Sequence, residues 1–300
     1  MSLIRDYQVN SIKPEEIDEI LNKLLLKYQD CDKIIRTTCP ACGNDKYDFA
    51  FDKGSFHYLQ CTDCMSLYIQ NILNNKKTLD YEESLNNELY NTQFYNQYEK
   101  KLYEKIMSEL ELILPRLFKN DQVLNIAYFG NKSNVYEEVF SQYNTKFYDC
   151  TKNITFSDQK FDFIIIDHFI EKTIELTKFM HKINLSLNDD GFLYITMRVG
   201  SGIDILTLWE DCNIYPLEHN NLLSIDGIKK LLDMNEFCIK ELNTPGILDI
   251  DNILKTQSKA LPRFLNYLNQ SNNQKSIEEF QTFIQKSLLS SFATIIAQRG

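Results

Sequence analysis

The sequence predicts an α/β fold: a parallel sheet covered by helices on both faces, behind a cysteine-bearing N-terminal ribbon and a helical linker. Three observations predict it. First, Phe161-Asp-Phe-Ile-Ile-Ile-Asp167 is a short apolar run closed by an acid, which reads as a strand buried on both faces. A helical segment follows, with Ile174, Leu176, Phe179, Met180, Ile183 and Leu187 near one face of a 3.6-residue period. Asn188-Asp-Asp-Gly191 then breaks the chain, with Gly191 placed to take the left-handed conformation that ends a helix, before a second strand, Phe192–Met197. Strand, helix, strand is a βαβ unit, so the two strands should be parallel neighbours. Second, residues 123–149 repeat the order strand, loop, helix, strand. Third, two C-x-x-C pairs sit ahead of both units.

Composition sets the outer limits. The chain has 300 residues, 43 % hydrophobic, 12 % aromatic and 25 % charged, an ordinary balance for a globular protein. No apolar run approaches the ~20 residues of a membrane helix, and Met-Ser-Leu-Ile-Arg-Asp-Tyr lacks the charged-then-apolar pattern of a leader. The expectation is a cytoplasmic protein with no membrane partner. A net charge of −10 argues against nucleic acid, whose phosphate backbone calls for a basic surface. Glycine is scarce, nine in 300 residues or 3 %, against a usual ~7 %. That matters because nucleotide-binding loops need glycine.

Residues 1–34 hold an N-terminal helix over 11–29. Pro14 suits a first turn, Glu15 and Glu16 suit the positive end, and Ile17, Ile20, Leu21, Leu24 and Tyr28 line one face. Residues 35–70 form the ribbon. Cys39-Pro-Ala-Cys42 and Cys61-Thr-Asp-Cys64 are separated by 18 residues, with short strands between, so two tight knuckles can complete a tetrahedral sulfur shell around zinc. Four protein ligands leave no position for water, which makes the metal structural. A redox pair or disulfides are the alternatives. His57 is a further candidate ligand, or simply a packed or exposed histidine. Cys31, Cys150, Cys212 and Cys238 are scattered and read as buried, reduced thiols.

Residues 71–119 are the helical linker. Its first part, 71–92, is polar and Asn-rich; a long amphipathic helix from about Tyr95 to Phe118 follows, kinked or ended by Pro115. The aromatics Tyr90, Phe94, Tyr95, Tyr98 and Tyr103 read as core, or one of the tyrosines closes over a ligand. The α/β domain, 120–300, opens with the strand Val123–Tyr128. A helix through Val135, Val139 and Phe140 and the strand Thr145–Asp149 come next. Ser224 caps a helix through Ile228, Leu231 and Leu232. Phe237–Leu242 is a strand, Ser276-Ile-Glu-Glu279 has capping-box spacing, and Phe292–Ala297 is an apolar last strand.

The order of these parts resembles the class I S-adenosylmethionine (SAM) dependent methyltransferases, a Rossmann-like family. The residues that carry the likeness are Val123–Asp149, Phe161–Asp167 and Asp190–Thr196, with Pro216-Leu-Glu-His219 and Asn243-Thr-Pro-Gly-Ile-Leu-Asp249 downstream. It covers about residues 35–299 and is similar to the subgroup with an N-terminal zinc ribbon, whose known members methylate sugar nucleotides and which includes proteins of surface-glycan pathways. The resemblance implies a SAM-dependent transferase acting on a sugar or sugar nucleotide, alone as an oligomer or with a partner enzyme of such a pathway. It also implies a last strand antiparallel to its neighbour. Asn125, Ala127, Phe129 and Asn131 stand where the family loop has an acid and three glycines, and Gly130 is off register by one. Asp149 matches the ribose-binding acid. Asp167 and His168 fall at the cofactor edge, and Glu171-Lys172 replaces a family Glu-His. His219 matches the base of sugar C-methyltransferases, with Glu218 beside it to orient it; a structural turn histidine is the other reading. Trp209, Glu210 and Tyr215 would flank the acceptor, and His181 is an ordinary helix residue. Twelve residues from Asp149 to Phe161 cannot hold a helix and a further strand, so one edge strand should be missing. Phe129 at a glycine position is placed to fill cofactor space. That opens an alternative function: a methyltransferase-like partner or scaffold subunit of glycan assembly that does not bind SAM.

Overall fold

A computed structural model describes residues 14–28, 30–85, 93–118, 123–130, 133–151, 159–255, 262–270 and 274–300. Helix α1 (Pro14–Tyr28) leads into β1 (Lys33–Ile35), β2 (Tyr47–Lys53), β3 (Phe56–Cys61), β4 (Leu67–Ile69) and β5 (Asn71–Leu73). Helices α2 (Asn75–Leu85) and α3 (Gln93–Leu117) follow, and Pro115 falls inside the last turn of α3. The stretch read as a polar linker therefore begins with a strand. All three residues of β5 are buried, and it pairs antiparallel with β1. Asn71 is tolerated there because its side chain is fully used: its Oδ1 accepts the His57 amide at 2.8 Å and its Nδ2 donates to the Ser55 carbonyl at 2.7 Å.

The remaining elements are β6 (Leu124–Phe129), α4 (Ser133–Phe140), β7 (Thr145–Asp149), β8 (Phe161–Asp167), α5 (Leu176–Ser186), β9 (Leu187–Arg198), α6 (Ile203–Leu208), β10 (Asn221–Leu222), α7 (Ile225–Met234), β11 (Phe237–Asn243), α8 (Asp249–Lys255), α9 (Arg263–Gln270), α10 (Gln274–Lys286) and β12 (Phe292–Arg299). The main sheet has the order β11-β12-β9-β8-β6-β7. Its strands β7, β6, β8 and β9 are parallel, and β12 runs antiparallel between β9 and β11. The chain reverses its direction of build between β6 and β8, the switch point of a doubly wound sheet. Strand β7 is the sheet edge among the described residues.

Alternation along β6 fixes the layers. Ile126 and Tyr128 join the cluster under α3 and α4, with Ile106, Leu110, Tyr136, Phe140, Phe163 and Ile165. Ala127 and Phe129 face the other way, into a cluster with Ile164, Ile166, Phe179, Ile183 and the ribbon residues Cys39, Leu59, Cys61, Cys64 and Tyr68. The ribbon is thus one cover of the main sheet. Its own four-stranded sheet, β10-β4-β3-β2, takes its first strand from the C-terminal half of the chain.

Local signals succeed unevenly. Ser224 caps α7 as expected, its Oγ accepting the Gly227 amide at 2.9 Å. Gly191 does not cap α5. The helix ends at Ser186 because Leu187 turns extended (φ −82°, ψ 142°) and begins β9 at once. Gly191 lies buried where β9 bulges against Phe161 and Phe163, and a Cβ there would sit 2.8 Å from Leu187 Cγ. Helix α10 starts at Gln274, before the capping-box serine Ser276. Of the scattered cysteines only Cys212 is fully buried; Cys31 and Cys150 are half-buried, and Cys238 is exposed on β11.

Candidate functional site

Two centres gather chemistry-bearing residues: the ribbon knuckles, and the carboxyl ends of β6, β7 and β8. In the ribbon, Sγ of Cys39, Cys42, Cys61 and Cys64 all lie within 4.8 Å of one another. The Cys39–Cys64 and Cys42–Cys61 pairs are each 3.6 Å apart. Tetrahedral zinc with bonds of about 2.3 Å sets sulfurs about 3.8 Å apart, so the donor set fits the ion. Each knuckle closes in the same way. The Gly43 amide donates to the Cys39 carbonyl at 2.9 Å and the Met65 amide to the Cys61 carbonyl at 3.0 Å. Both residues sit in the left-handed region, φ 74° and 60°. Glycine does this freely, whereas Met65 accepts about 1 kcal/mol of strain. A hydrogen bond from Cys39, working against burial, pulls the Cys64 thiol down to about 5, and Ser66 Oγ lies 3.2 Å from its sulfur. His57 stands apart, paired with Asp52 at 2.7 Å.

At the sheet edge the expected loop is partly strand. Strand β6 runs on through Phe129, which pairs with Ile166, while Ala127 pairs with Ile164 and Tyr148. Asn125 and Ala127 therefore sit within the ladder, and Asn125 donates its amide to Asp162 Oδ2 at 2.8 Å. Phe129 does not project over the strand ends. Its ring packs into the core against Phe179 (5.3 Å, nearly perpendicular) and Phe169 (5.9 Å). Gly130 follows, buried, with its amide donating to Thr151 Oγ1 at 3.0 Å. Thr151 Oγ1 returns a bond to the Gly130 carbonyl at 2.9 Å. A Cβ on Gly130 would overlap the Tyr128 hydroxyl and lie 2.8 Å from the Asp167 carbonyl oxygen, so only glycine fits. Asn131 lies outside the described residues.

Asp149 ends β7 exposed, with Oδ1 accepting the Thr151 amide at 3.0 Å. Asp167 ends β8 at 2 % exposure and receives four hydroxyls: Tyr103 at 2.7 Å, Tyr128 at 3.1 Å, Tyr136 at 2.9 Å and Thr196 at 2.6 Å. Of the linker aromatics, Tyr103 is the one whose described side chain reaches the strand ends; Tyr90 and the side chains of Phe94, Tyr95 and Tyr98 lie outside the described residues. The Asp149 carboxylate is thus exposed at its strand end, whereas that of Asp167 is taken up by the chain's own hydroxyls.

His168, at φ 49°, bends the chain off β8. Its Nδ1 meets Glu171 Oε1 at 3.0 Å, and the same oxygen accepts the Arg198 amide at 2.7 Å. Burial lowers the His168 pKa, but the Glu171 bond and charge outweigh it and the net shift is upward. Lys172 pairs with Glu218 Oε2 at 3.0 Å. His219 Nδ1 accepts the Tyr215 amide at 3.0 Å and lies 3.2 Å from the Tyr215 carbonyl. Burial, then the charge of Arg198, push His219 well below its ordinary value. Trp209 donates to the Ala50 carbonyl at 3.2 Å and packs edge-on against Phe51, so it serves the ribbon contact. Tyr215 is half-buried, and Glu210 and His181 are exposed.

Sequence reasoning missed Tyr128, Tyr136 and Thr196 around Asp167, Glu171 as the partner of His168, and Arg36, which ties the ribbon to the 220–221 turn. The hydroxyls were invisible because the strand period puts Tyr128 and Thr196 in ordinary core positions. Arg36, three residues ahead of Cys39, was the one readable hint.

No protein-family model and no curated protein matches the chain. Among solved structures it is similar to a SAM-dependent methyltransferase from Archaeoglobus fulgidus, at 13 % identity and TM-score 0.43, over 69 % of this chain and 100 % of that one. It is also similar to the O-methyltransferase of a trans-AT PKS multienzyme of Brevibacillus brevis, in complex with S-adenosyl-L-homocysteine, at 14 % identity and TM-score 0.40, over 69 % and 76 %. At TM-scores below 0.5 these likenesses carry no argument, and the fold rests on the strand order itself: a mixed, doubly wound sheet with a four-cysteine ribbon.

Proposed function

We propose that this protein is a SAM-dependent methyltransferase acting on a small-molecule acceptor, a sugar or sugar nucleotide of surface-glycan biosynthesis, with zinc as a structural ion. The observation that supports it is the exposed Asp149 carboxylate at the carboxyl end of β7, beside the switch point of a doubly wound sheet. That is where an acid accepts ribose hydroxyls. SAM, when bound, supplies an electrophilic methyl group. What remains for the chain is to align an acceptor and take its proton. His219 is the proposed base. Burial holds it neutral; in the tautomer whose Nδ1–H donates to the Tyr215 carbonyl at 3.2 Å, Nε2 keeps the lone pair that would take the acceptor's proton. His168, Asp167 and Gly130 form the proposed cofactor edge.

A second reading is favoured by one observation. Four hydroxyls saturate Asp167, and Gly130 closes against the Asp167 carbonyl, where a cofactor's amino-acid half would lie. On that reading the chain is a methyltransferase-like partner or scaffold in glycan assembly. One measurement separates the two. A ligand at 100 times its dissociation constant stabilises a fold by about 2.7 kcal/mol. The first reading expects a clear rise in melting temperature at millimolar SAM, lost in Asp149→Ala. Unchanged melting of the wild type would sink it and leave the second.

A further inference from the structure

We propose that Arg36 is a positioning residue that couples the four-cysteine centre to the loop carrying Glu218 and His219, so that metal in the ribbon sets the geometry of the proposed acceptor side. The Arg36 guanidinium is fastened in both directions across the ribbon's base. Its Nη1 donates to Asn221 Oδ1 at 2.7 Å and to the Asn220 carbonyl at 3.3 Å. Its Nη2 donates to the carbonyls of Ile174 at 3.1 Å and Thr173 at 3.5 Å, in the connection that follows β8. Its amide donates to the Gln70 carbonyl at 2.8 Å.

All of these acceptors are neutral. Taking a guanidinium out of water costs several kcal/mol unless an opposite charge offsets it. A zinc ion with four thiolate ligands carries a net charge of about −2, two positive against four negative. Burial lowers the Arg36 pKa to about 10, and Tyr68 and then Cys39, three residues further on, act against that fall. A filled centre would add to the favourable charge that Cys39 already offers the guanidinium.

The loop is held by the ribbon along its length. Tyr58, buried in β3, donates its hydroxyl to the His219 carbonyl at 3.0 Å. The Ile69 amide donates to the Asn220 carbonyl at 3.0 Å. Asn221 and Leu222 pair with Tyr68 and Leu67 as strand β10. The Ser224 amide donates to Ser66 Oγ at 3.0 Å, and the Ser224 hydroxyl donates to the carbonyl of the metal ligand Cys64. From His219 to Ser224 the backbone is bonded to ribbon strands β3 and β4 and to the Cys64 turn, beside main-sheet bonds at Asn221 and Leu223.

The acceptor role of this loop rests on the function proposed above, but the mechanical coupling does not. A failed SAM shift therefore leaves the following test standing. Hydrogen exchange of the full chain is measured by mass spectrometry with zinc bound, after removal of zinc by a chelator, and in Arg36→Gln and Tyr58→Phe. Peptides spanning 213–224 should exchange about tenfold faster after chelation, through local opening of the ladder. The same peptides should loosen in Arg36→Gln while it still holds one zinc per chain, and less so in Tyr58→Phe. The coupling is overturned if chelation speeds exchange in 39–64 but leaves 213–224 as before. It is also overturned if Arg36→Gln keeps both its zinc and wild-type exchange. Should Arg36→Gln fail to fold, Tyr58→Phe decides, since it removes one hydroxyl; unchanged exchange at His219 counts against the proposal.

Discussion

A carboxylate at 2 % exposure persists in this fold because four hydroxyls converge on it. Tyr103 comes from α3, Tyr128 from β6, Tyr136 from α4 and Thr196 from β9, so Asp167 ties four elements at one point. Removing it takes a shared acceptor from four buried hydroxyls, and each donor left unmet costs about 1–3 kcal/mol. Partial relaxation is expected, and Asp167→Ala should lose about 3–5 kcal/mol in urea denaturation. Tyr103→Phe, which removes one donor and leaves three, should lose about 1–2 kcal/mol. Equal losses in the two variants would show that the carboxylate is not the hub. The two histidines at this edge give stability opposite pH dependences. His219, depressed in the fold, stays neutral while the unfolded chain protonates near 6.5, so its contribution is present above that pH and is lost as pH falls below it. His168 is raised by Glu171, so its contribution is present below 6.5 and is lost as pH rises through the folded value. His219→Gln should flatten the acid-side fall in unfolding free energy, and His168→Gln the fall above neutrality. If both profiles match the wild type, the pairings described for these rings do not govern their titration.

At the scale of elements, one glycine shows how closely the main sheet meets the ribbon. Gly200, just past β9, donates its amide to the Leu223 carbonyl at 2.8 Å, and a Cβ there would overlap the Leu222 carbonyl oxygen. That oxygen belongs to backbone in β10 and cannot swing aside. Gly200→Ala should cost about 1–3 kcal/mol as forced overpacking, read by thermal melting, while Gly54→Ala meets no such neighbour and strains only its turn. Equal losses would mean that the contact is loose. The elements that the sequence made legible are those whose period is strong. The strands at Phe161–Asp167 and Phe292–Arg299, the helix after Ser224 and the cysteine knuckles all declare themselves by pattern. What stayed hidden depended on tertiary partners. Asn71 looks like linker until Ser55 and the His57 amide take up its amide group. Gly191 looks like a helix stop until the bulge in β9 gives it another use. The loop after β6 was shorter than its glycine spacing suggested, because Ala127 and Phe129 are good strand residues with partners on both sides. The candidate site was legible where it rests on a single residue type, as at the four cysteines. It was illegible where ordinary core tyrosines acquire a shared acceptor.

The whole molecule behaves as one body if its two larger sheets cannot part separately, and the contacts argue that they cannot. The candidate metal ligands Cys39, Cys61 and Cys64 share a buried cluster with Ala127, Ile164, Ile195 and Leu231, which belong to the main sheet and α7. The ribbon's sheet takes β10 from the chain's later half, and the metal-binding turn at Cys64–Ser66 is bonded to the N-terminus of α7. To unfold the ribbon alone would expose that apolar cluster and orphan the donors on both sides. Neither half could gain enough chain entropy by opening first to offset this. Calorimetry of the zinc-loaded chain should therefore show one transition with matching calorimetric and van't Hoff enthalpies. Stripping the metal should lower that transition as a whole, and Cys39→Ser should reproduce the lowered curve without added chelator. An early, separate ribbon transition in the loaded protein would mean that the ribbon is a tethered module. In that case the His219 loop would owe its position to the main sheet, through contacts such as the Asn221 amide to the Glu171 carbonyl at 2.9 Å, and zinc would have no bearing on it.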